Sequence, residues 1–309
     1  MKKEIRNVDE KRGIVQVTIA DERWYLRDSK DEITGLPIIQ HVPSVTWISG
    51  SYPKGIPFYK WLAEKGWDES EAIKQAAGNK GSKIHLAVGD ILSGKEVRID
   101  SKYINKGTGQ EEELTLEECD AILSFKSWFD SVKPKTITWE YTVFSNKYGY
   151  AGTVDYICEI EGEVWIVDFK TGQYIWPEYE LQISAYKQTI ANAENHIQNL
   201  DVSGIKLAVL QLGYRRNKNM YKFTEIDDKF KLFLAARQIW ENEHGEERLT
   251  KKDYPIVLSH AIQASKITFG VEKEESRESK KIQKDLGIEE SNISTTMGAK
   301  KQAKNERVP

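Results

Sequence analysis

The chain has 309 residues, 39% hydrophobic and 30% charged, enough for a substantial core in one large domain or two modest ones. A formal net charge of -3 argues against coating nucleic acid through a global basic field, while 45 Lys and Arg residues still allow a local basic face. Two cysteines, Cys119 and Cys158, argue against a disulfide scaffold and are too few for a four-thiolate iron–sulfur cluster.

The opening MKKEIRNVDEKRGIVQV has basic residues but no apolar run behind them, so no secretory signal is expected. No stretch approaches the roughly 18 apolar residues of a membrane span, and a reducing, cytoplasmic setting fits. Residues 14–48 predict short strands and loops (IVQVTI, RWYLRD, LPIIQHVPSVTWI) with a turn at SKDEITG. SYPKGIP is a turn-rich break, after which PFYKWLAEKG reads as a helix closed by Gly66. A second helix is predicted from about Glu69 through EAIKQAAGN, and a third over GSKIHLAVGDILSG, ending near Gly94. In TLEECDAILSFKSWFDSV, Leu116, Cys119, Ile122, Leu123, Phe125 and Lys126 follow a helical rhythm, with Thr115 and Glu118 spaced as a capping box.

After Pro134 the period switches to two, predicting three consecutive strands joined by NKYGY and EGE. PEYELQISAYKQTIANAE is helical, IKLAVLQLGYRR and MYKFTEI are strand-like, and DDKFKLFLAARQIWENEHG is an amphipathic helix. The order predicts an α/β arrangement, a mixed sheet covered by helices. From Val271 onward large apolar residues nearly vanish, which predicts a charged, disordered tail, either a linker or a docking peptide for a protein partner.

The informative stretch is GTVDYICEIEGEVWIVDFKTG, from Gly152 to Gly172. Side chains at i and i+2 of a strand share a side, so Asp168 and Lys170 project together and Phe169 faces the other layer. A hairpin turning at EGE brings Asp155 onto the neighbouring strand. Two carboxylates at such a sheet repel each other unless a cation lies between them, and Mg²⁺ or Mn²⁺ takes carboxylate, carbonyl and water oxygens. A nearby ammonium stabilises charge developing on phosphate. Two acids plus a lysine therefore suit metal-assisted phosphodiester hydrolysis. A purely structural Asp168–Lys170 ion pair is the alternative, and it leaves Asp155 unexplained.

This stretch, followed by YELQISAY, resembles the nuclease core of the PD-(D/E)XK superfamily in its RecB-like branch, and is most similar to the mitochondrial genome maintenance exonucleases and their phage and bacterial relatives. The resemblance rests on GTVD with Asp155, DFK with Asp168 and Lys170, QISAY with Gln182 and Tyr186, and an upstream GSKIH with Gly81 and His85. It implies a restriction-endonuclease-like mixed β-sheet flanked by helices over residues 69–270; residues 1–68 read as an N-terminal strand and helical extension, a candidate DNA-entry region, and 271–309 as the tail. It implies that His85, Asp155, Asp168 and the Phe169 backbone carbonyl hold Mg²⁺ or Mn²⁺, with Lys170 as the catalytic lysine. Gln182 and Tyr186, one face of a helix, would support the lysine and the scissile phosphate. Thr171 would touch a phosphate, and Glu140 on the preceding strand is a further metal candidate. The second acid is Asp rather than the Glu common in the wider superfamily, as in the RecB-like branch. No cysteines flank the core, which excludes the iron–sulfur variant.

DNA contacts are expected from the aromatic and basic stretch around SYPKGIPFYKW, where Tyr52, Lys54, Tyr59, Lys60 and Trp61 offer stacking faces and cations, with Lys83, Arg215 and Arg216 as further basic points. The resemblance implies a DNA exonuclease favouring single strands or unpaired ends in replication, recombination or repair, in the cytoplasm (the host's, for a phage-encoded chain). Duplex-end resection and flap cleavage are rival activities. A catalytically silent DNA-binding subunit and a phage or replisome adaptor are the rivals from another class.

Overall fold

A computed structural model describes residues 3–19, 22–30, 37–191, 195, 197, 200 and 204–245. The tail expected over 271–309, with its proposed protein-docking role, and most of the SKDEITG turn lie outside the described residues. Four strands open the chain: β1 (Lys3–Asp9), β2 (Ile14–Ile19), β3 (Glu22–Lys30) and β4 (Pro37–Pro43), each antiparallel to the next. β1 was not legible, because KEIRNVD carries charges where a strand signal needs apolar alternation.

Three helices follow: α1 (Val45–Gly50), α2 (Ile56–Lys65) and α3 (Trp67–Leu92). Ser44 caps α1 by accepting from the Trp47 amide. Gly66, at φ 75°, ends α2 as expected. The two helices predicted over 69–94 are instead one, and α3 runs unbroken through Gly78 and Gly81. Each interior glycine costs about 1 kcal/mol relative to alanine. Burial of Ile84, Ala87 and Val88 farther along the helix outweighs that penalty.

A short hairpin, β5 (Lys102–Ile104) and β6 (Glu111–Glu113), precedes α4 (Leu116–Val132). The Thr115–Glu118 capping box is present in both directions. The buried face of α4 is Ala121, Ile122, Phe125 and Trp128, while Leu116 and Leu123 of the predicted rhythm are exposed.

The central sheet has five strands: β7 (Lys135–Ser145), β8 (Tyr150–Ile160), β9 (Glu163–Lys170), β10 (Lys206–Leu212) and β11 (Tyr221–Ile226), in the order β11-β10-β9-β8-β7. Only the β9–β10 pairing is parallel, so the sheet is mixed. The crossover from β9 to β10 carries α5 (Pro177–Ile190), and α6 (Phe230–His244) closes the described chain. One face of the sheet, through Tyr156, Cys158, Trp165, Val167 and Phe169, forms the main core with α3 and α4. α5 packs on β7 to β10. The architecture is α/β. Among the described residues no helix is long and apolar enough to cross a membrane.

The N-terminal sheet is joined to β7 and β8 through shared burial of Ile14, Tyr25, Val42, Phe144 and Ala151. Arg12 donates to Asn195 Oδ1 at 3.2 Å and to the Thr142 carbonyl, and Asn195 in turn brackets Phe144 through its amide and carbonyl.

Candidate functional site

The β8–β9 hairpin turns on Glu161 and Gly162, both at positive φ (53° and 83°), which is what a tight two-residue hairpin turn requires. Counting from that turn, Tyr156 pairs with Val167, so Asp155 and Asp168 stand opposite each other one step farther on. Alternation then sends Phe169 into the core and turns Asp168 and Lys170 to the other side. Asp168 is 1% exposed.

The two acids have different partners. Asp168 Oδ2 pairs with Lys170 Nζ, and its Oδ1 accepts from Gln182 Nε2 at 3.2 Å. The same Gln182 amide also donates to the Tyr186 hydroxyl at 3.0 Å, so the two α5 side chains act on Asp168 as one unit. Asp155 Oδ2 accepts from the Phe169 amide at 2.8 Å, and its Oδ1 lies 3.5 Å from His85 Nδ1. His85 Nε2 is 3.0 Å from the Phe169 carbonyl oxygen. Thus α3, β8, β9 and α5 bring His85, Asp155, Asp168, Phe169, Lys170, Gln182 and Tyr186 together.

Burial pushes the Asp168 carboxyl up to about 6, and the facing Asp155 charge adds to the rise against the pull of Lys170. Burial also works against charge on Asp155, yet the His85 ring, Lys170 and the Phe169 amide hold its carboxyl below the usual range. For His85 and Lys170, burial favours the neutral forms but the acids win, so both bases are raised: His85 chiefly by Asp155, Lys170 chiefly by Asp168. Desolvation raises the Tyr186 hydroxyl well above the ordinary tyrosine value, leaving it a neutral donor and acceptor.

His85, Asp155, Phe169, Lys170, Gln182 and Tyr186 line a cleft of about 720 Å³, and Asp168 is buried behind them. Thr171 lines it just past β9, within reach of Gly81 on α3, where an added Cβ would meet the threonine hydroxyl at an ordinary 3.7 Å. The helix therefore needs no glycine at 81 to approach the sheet. Gly152 is different: a Cβ there would come within 2.5 Å of the Tyr186 ring, so β8 requires glycine to seat that tyrosine. Glu140 lines the cleft beside Asp155 and adopts left-handed backbone (φ 46°) within β7, a conformation uncommon for a non-glycine residue.

The expected DNA contacts do not gather at the cleft. Lys83 is buried and ion-paired to the buried Glu118 at 2.8 Å, so it is a structural cation rather than a surface one. Lys54 is tied to Glu178 at 2.5 Å. Tyr52, Tyr59, Lys60 and Trp61 stand on or before α2, which buries none of its residues, and none of them lines the cleft. Arg215 pairs with Glu117, and Arg216 sits over the Tyr174 ring at 5.0 Å; both are off the cleft. Of the other aromatics before the core, Trp24 and Trp47 pack edge-on against each other and against Trp240 on α6.

The sequence reading missed the contribution of the N-terminal sheet. Tyr25 on β3 receives a hydrogen bond from Gln16 at 2.7 Å, lies 3.2 Å from the Thr153 hydroxyl, and lines the cleft with Tyr186. Arg6, Arg23 and Lys106 line it too, with Trp176 and Tyr179 from the start of α5. Tyr25 stood out only as one of the aromatics before the core; local pattern gave no signal for Arg6, Arg23 or Lys106, which reach the cleft only through tertiary packing.

No family model and no curated protein matches the chain. The side chains themselves therefore carry the functional reading.

Proposed function

We propose that this chain is a divalent-metal-dependent DNA exonuclease with a restriction-endonuclease-like core, hydrolysing phosphodiester bonds in single strands or unpaired ends. The observation that carries this reading is the facing of Asp155 and Asp168 on adjacent central strands, with Lys170 beside them; Asp155 and Lys170 line a cleft and Asp168 lies buried just behind it. Two acids and a lysine in such a setting are costly for stability and useful for phosphate chemistry.

The donor chemistry fits a hard divalent ion. Asp168 Oδ2, although paired with Lys170, receives no well-directed hydrogen bond, and a second carboxylate and the Phe169 carbonyl lie close by. Among the described residues no three His, Cys, Asp or Glu side chains form a ready cage. The fit is therefore to two carboxylates and a carbonyl completed by water, the pattern Mg²⁺ and Mn²⁺ accept. Asp155, Asp168 and the Phe169 carbonyl would hold the ion, with His85 at its edge. When bound, it would supply an activated water and charge neutralisation at the phosphoryl oxygens.

Lys170 holds Asp168 until the ion is present and then offers its ammonium to charge developing on phosphate. Gln182 and Tyr186 fix the Asp168 carboxylate, and Tyr179, whose ring lies 4.7 Å from the Lys170 ammonium, keeps that side chain along the cleft wall. The cleft is the size of a small-ligand site, which suits a few nucleotides of one strand better than a duplex. Trp176 and Tyr179 are the aromatic surfaces on which bases would stack.

A second reading, a silent DNA-binding subunit, is favoured by the same internal pairing, since Asp168–Lys170 and Asp155–His85 already neutralise each other. End-labelled circular, linear single-stranded, blunt-duplex and flap substrates, each with Mg²⁺, Mn²⁺ or chelator, separate the two. Metal-dependent shortening of the linear strand, with the circle spared, is the expected result. Rapid cutting of the circle overturns the exonuclease assignment, and no cleavage of any substrate leaves the silent subunit.

A further inference from the structure

We propose that Arg6, Arg23 and Lys106 form a cationic wall that binds the phosphodiester backbone of a single strand beside the Asp155–Asp168 site. This rests on the nucleic-acid reading of the cleft.

The three cations come from separate supports. Arg6 on β1 is opposite Gln16 on β2, which is opposite Tyr25 on β3, and Arg23 lies two residues before Tyr25. Directly opposed residues and residues two apart share a sheet face, so Arg6, Gln16, Tyr25 and Arg23 all project from one side. That side buries Ile14 and Tyr25 against Phe144 and Ala151 at one end and lines the cleft at the other. Lys106 arrives from the loop of the β5–β6 hairpin. This loop is fastened by Asn105 Oδ1, which accepts from the Gly107 amide at 2.8 Å, and by Asn79 of α3, which accepts from the same amide at 3.0 Å.

Elsewhere the surface cations bordering this region are neutralised: Lys54 by Glu178, Lys80 and Arg215 by Glu117. Among the described residues Arg6, Arg23 and Lys106 take part in no ion pair, and Arg23 Nε is buried without a hydrogen-bond acceptor. For Lys106, loss of hydration, then the Arg23 and Arg6 charges, pull the ammonium below the ordinary lysine value, against weaker support from Glu4 and Glu140. Three cations that face one cleft outside any ion pair call for an anion.

The spread of the charges selects the kind of anion. β1 and β3 are separated by β2, and Arg23 lies two residues along from Tyr25, the residue in register with Arg6, so the Arg6 and Arg23 backbones stand about 12 Å apart. Lys106 adds a third point from another element. Three cations on three separate supports match a ligand that carries several phosphates along its length, as a strand does. Tyr25, two residues from Arg23 and adjoining Tyr186, connects this wall to the acids.

The test measures binding of the full chain to a labelled single-stranded oligonucleotide by anisotropy across a salt series, in chelator so that nothing is cut. Cleavage by the parent with Mn²⁺ is assayed in parallel. Each phosphate contact on a single strand contributes about 0.7 to the log–log salt slope, so Arg6→Gln, Arg23→Gln and Lys106→Gln together should lower the slope by about 2. Lys54→Gln, outside the cleft, should leave it unchanged. If the triple variant fails to fold, as judged by thermal melting, each single variant should still lower the slope by about 0.7. Parent binding with the same slope in every variant overturns the wall, whether or not the parent cleaves. A lowered slope without cleavage by the parent keeps the wall and removes the hydrolytic reading. Failure of the parent to bind the oligonucleotide overturns both.

Discussion

Asp168 is held between an ammonium and an amide, Lys170 on one oxygen and Gln182 on the other, and the two partners have opposite consequences for a metal ion. Gln182 can remain while a cation arrives, whereas Lys170 competes for the same carboxylate. Asp168→Ala should therefore abolish cleavage and sharply weaken Mn²⁺ binding. Lys170→Ala should lower cleavage by about 10²-fold or more, the range for removing a transition-state donor, yet bind Mn²⁺ more tightly. Calorimetry on both variants checks this, and weaker Mn²⁺ binding by Lys170→Ala contradicts the competition. Protons compete as well. The Asp168 carboxyl is raised to about 6, so it is charged above that value and protonated below it, and Mn²⁺ affinity should fall as pH is lowered through about 6. Titrations at stepped pH read that loss directly, and a flat profile would place the ion elsewhere. Lys83 has a different task. Its partner Glu118 is buried with it, so Lys83→Met strands a carboxylate and should cost about 3–5 kcal/mol in urea unfolding. Lys60→Ala, on the exposed α2, should change stability by less than about 0.5 kcal/mol.

Among the elements, those with a period of their own were legible. The strands β7 to β11, the helices α5 and α6, the Thr115 cap and the Gly66 stop all follow from pattern and cap chemistry alone. The facing of Asp155 with Asp168 was legible for the same reason: a two-residue turn and a two-residue period determine it. Elements that failed are those decided by tertiary burial. β1 has no apolar alternation of its own, and the β5–β6 hairpin is three residues to a strand. α3 runs on through the Asn79–Gly81 junction that reads as a break between two helices. The same logic hid Arg6 and Arg23, which line the cleft only when the N-terminal sheet docks, and Lys106, which the β5–β6 loop brings there. Because Gly78 lies within the helix and a Cβ there would meet nothing within 4 Å, Gly78→Ala should stabilise the protein by about 0.5–1 kcal/mol. A raised urea midpoint with an unchanged slope is the expected reading. A lowered midpoint would mean that the chain breaks at 78 after all.

Across the full fold, the site is assembled from distant parts of the chain. His85 meets Phe169 across 84 positions, Tyr25 meets Thr153 across 128, and Arg12 reaches Asn195 across 183. Contacts of such separation make folding slow, because chain closure must precede the reward. Refolding followed by tryptophan fluorescence should accordingly fall in the millisecond-to-second range rather than in microseconds. The Arg12–Asn195 clamp has a further consequence, in time rather than space. At about 5–20 residues per second, ribosomal synthesis separates the birth of its two halves by about 10–40 s. During that interval the first sheet exists without the asparagine that fastens it, and the acids of β8 and β9 are made before the α5 side chains that orient Asp168. The candidate site therefore cannot be complete until α5 and Asn195 have been made.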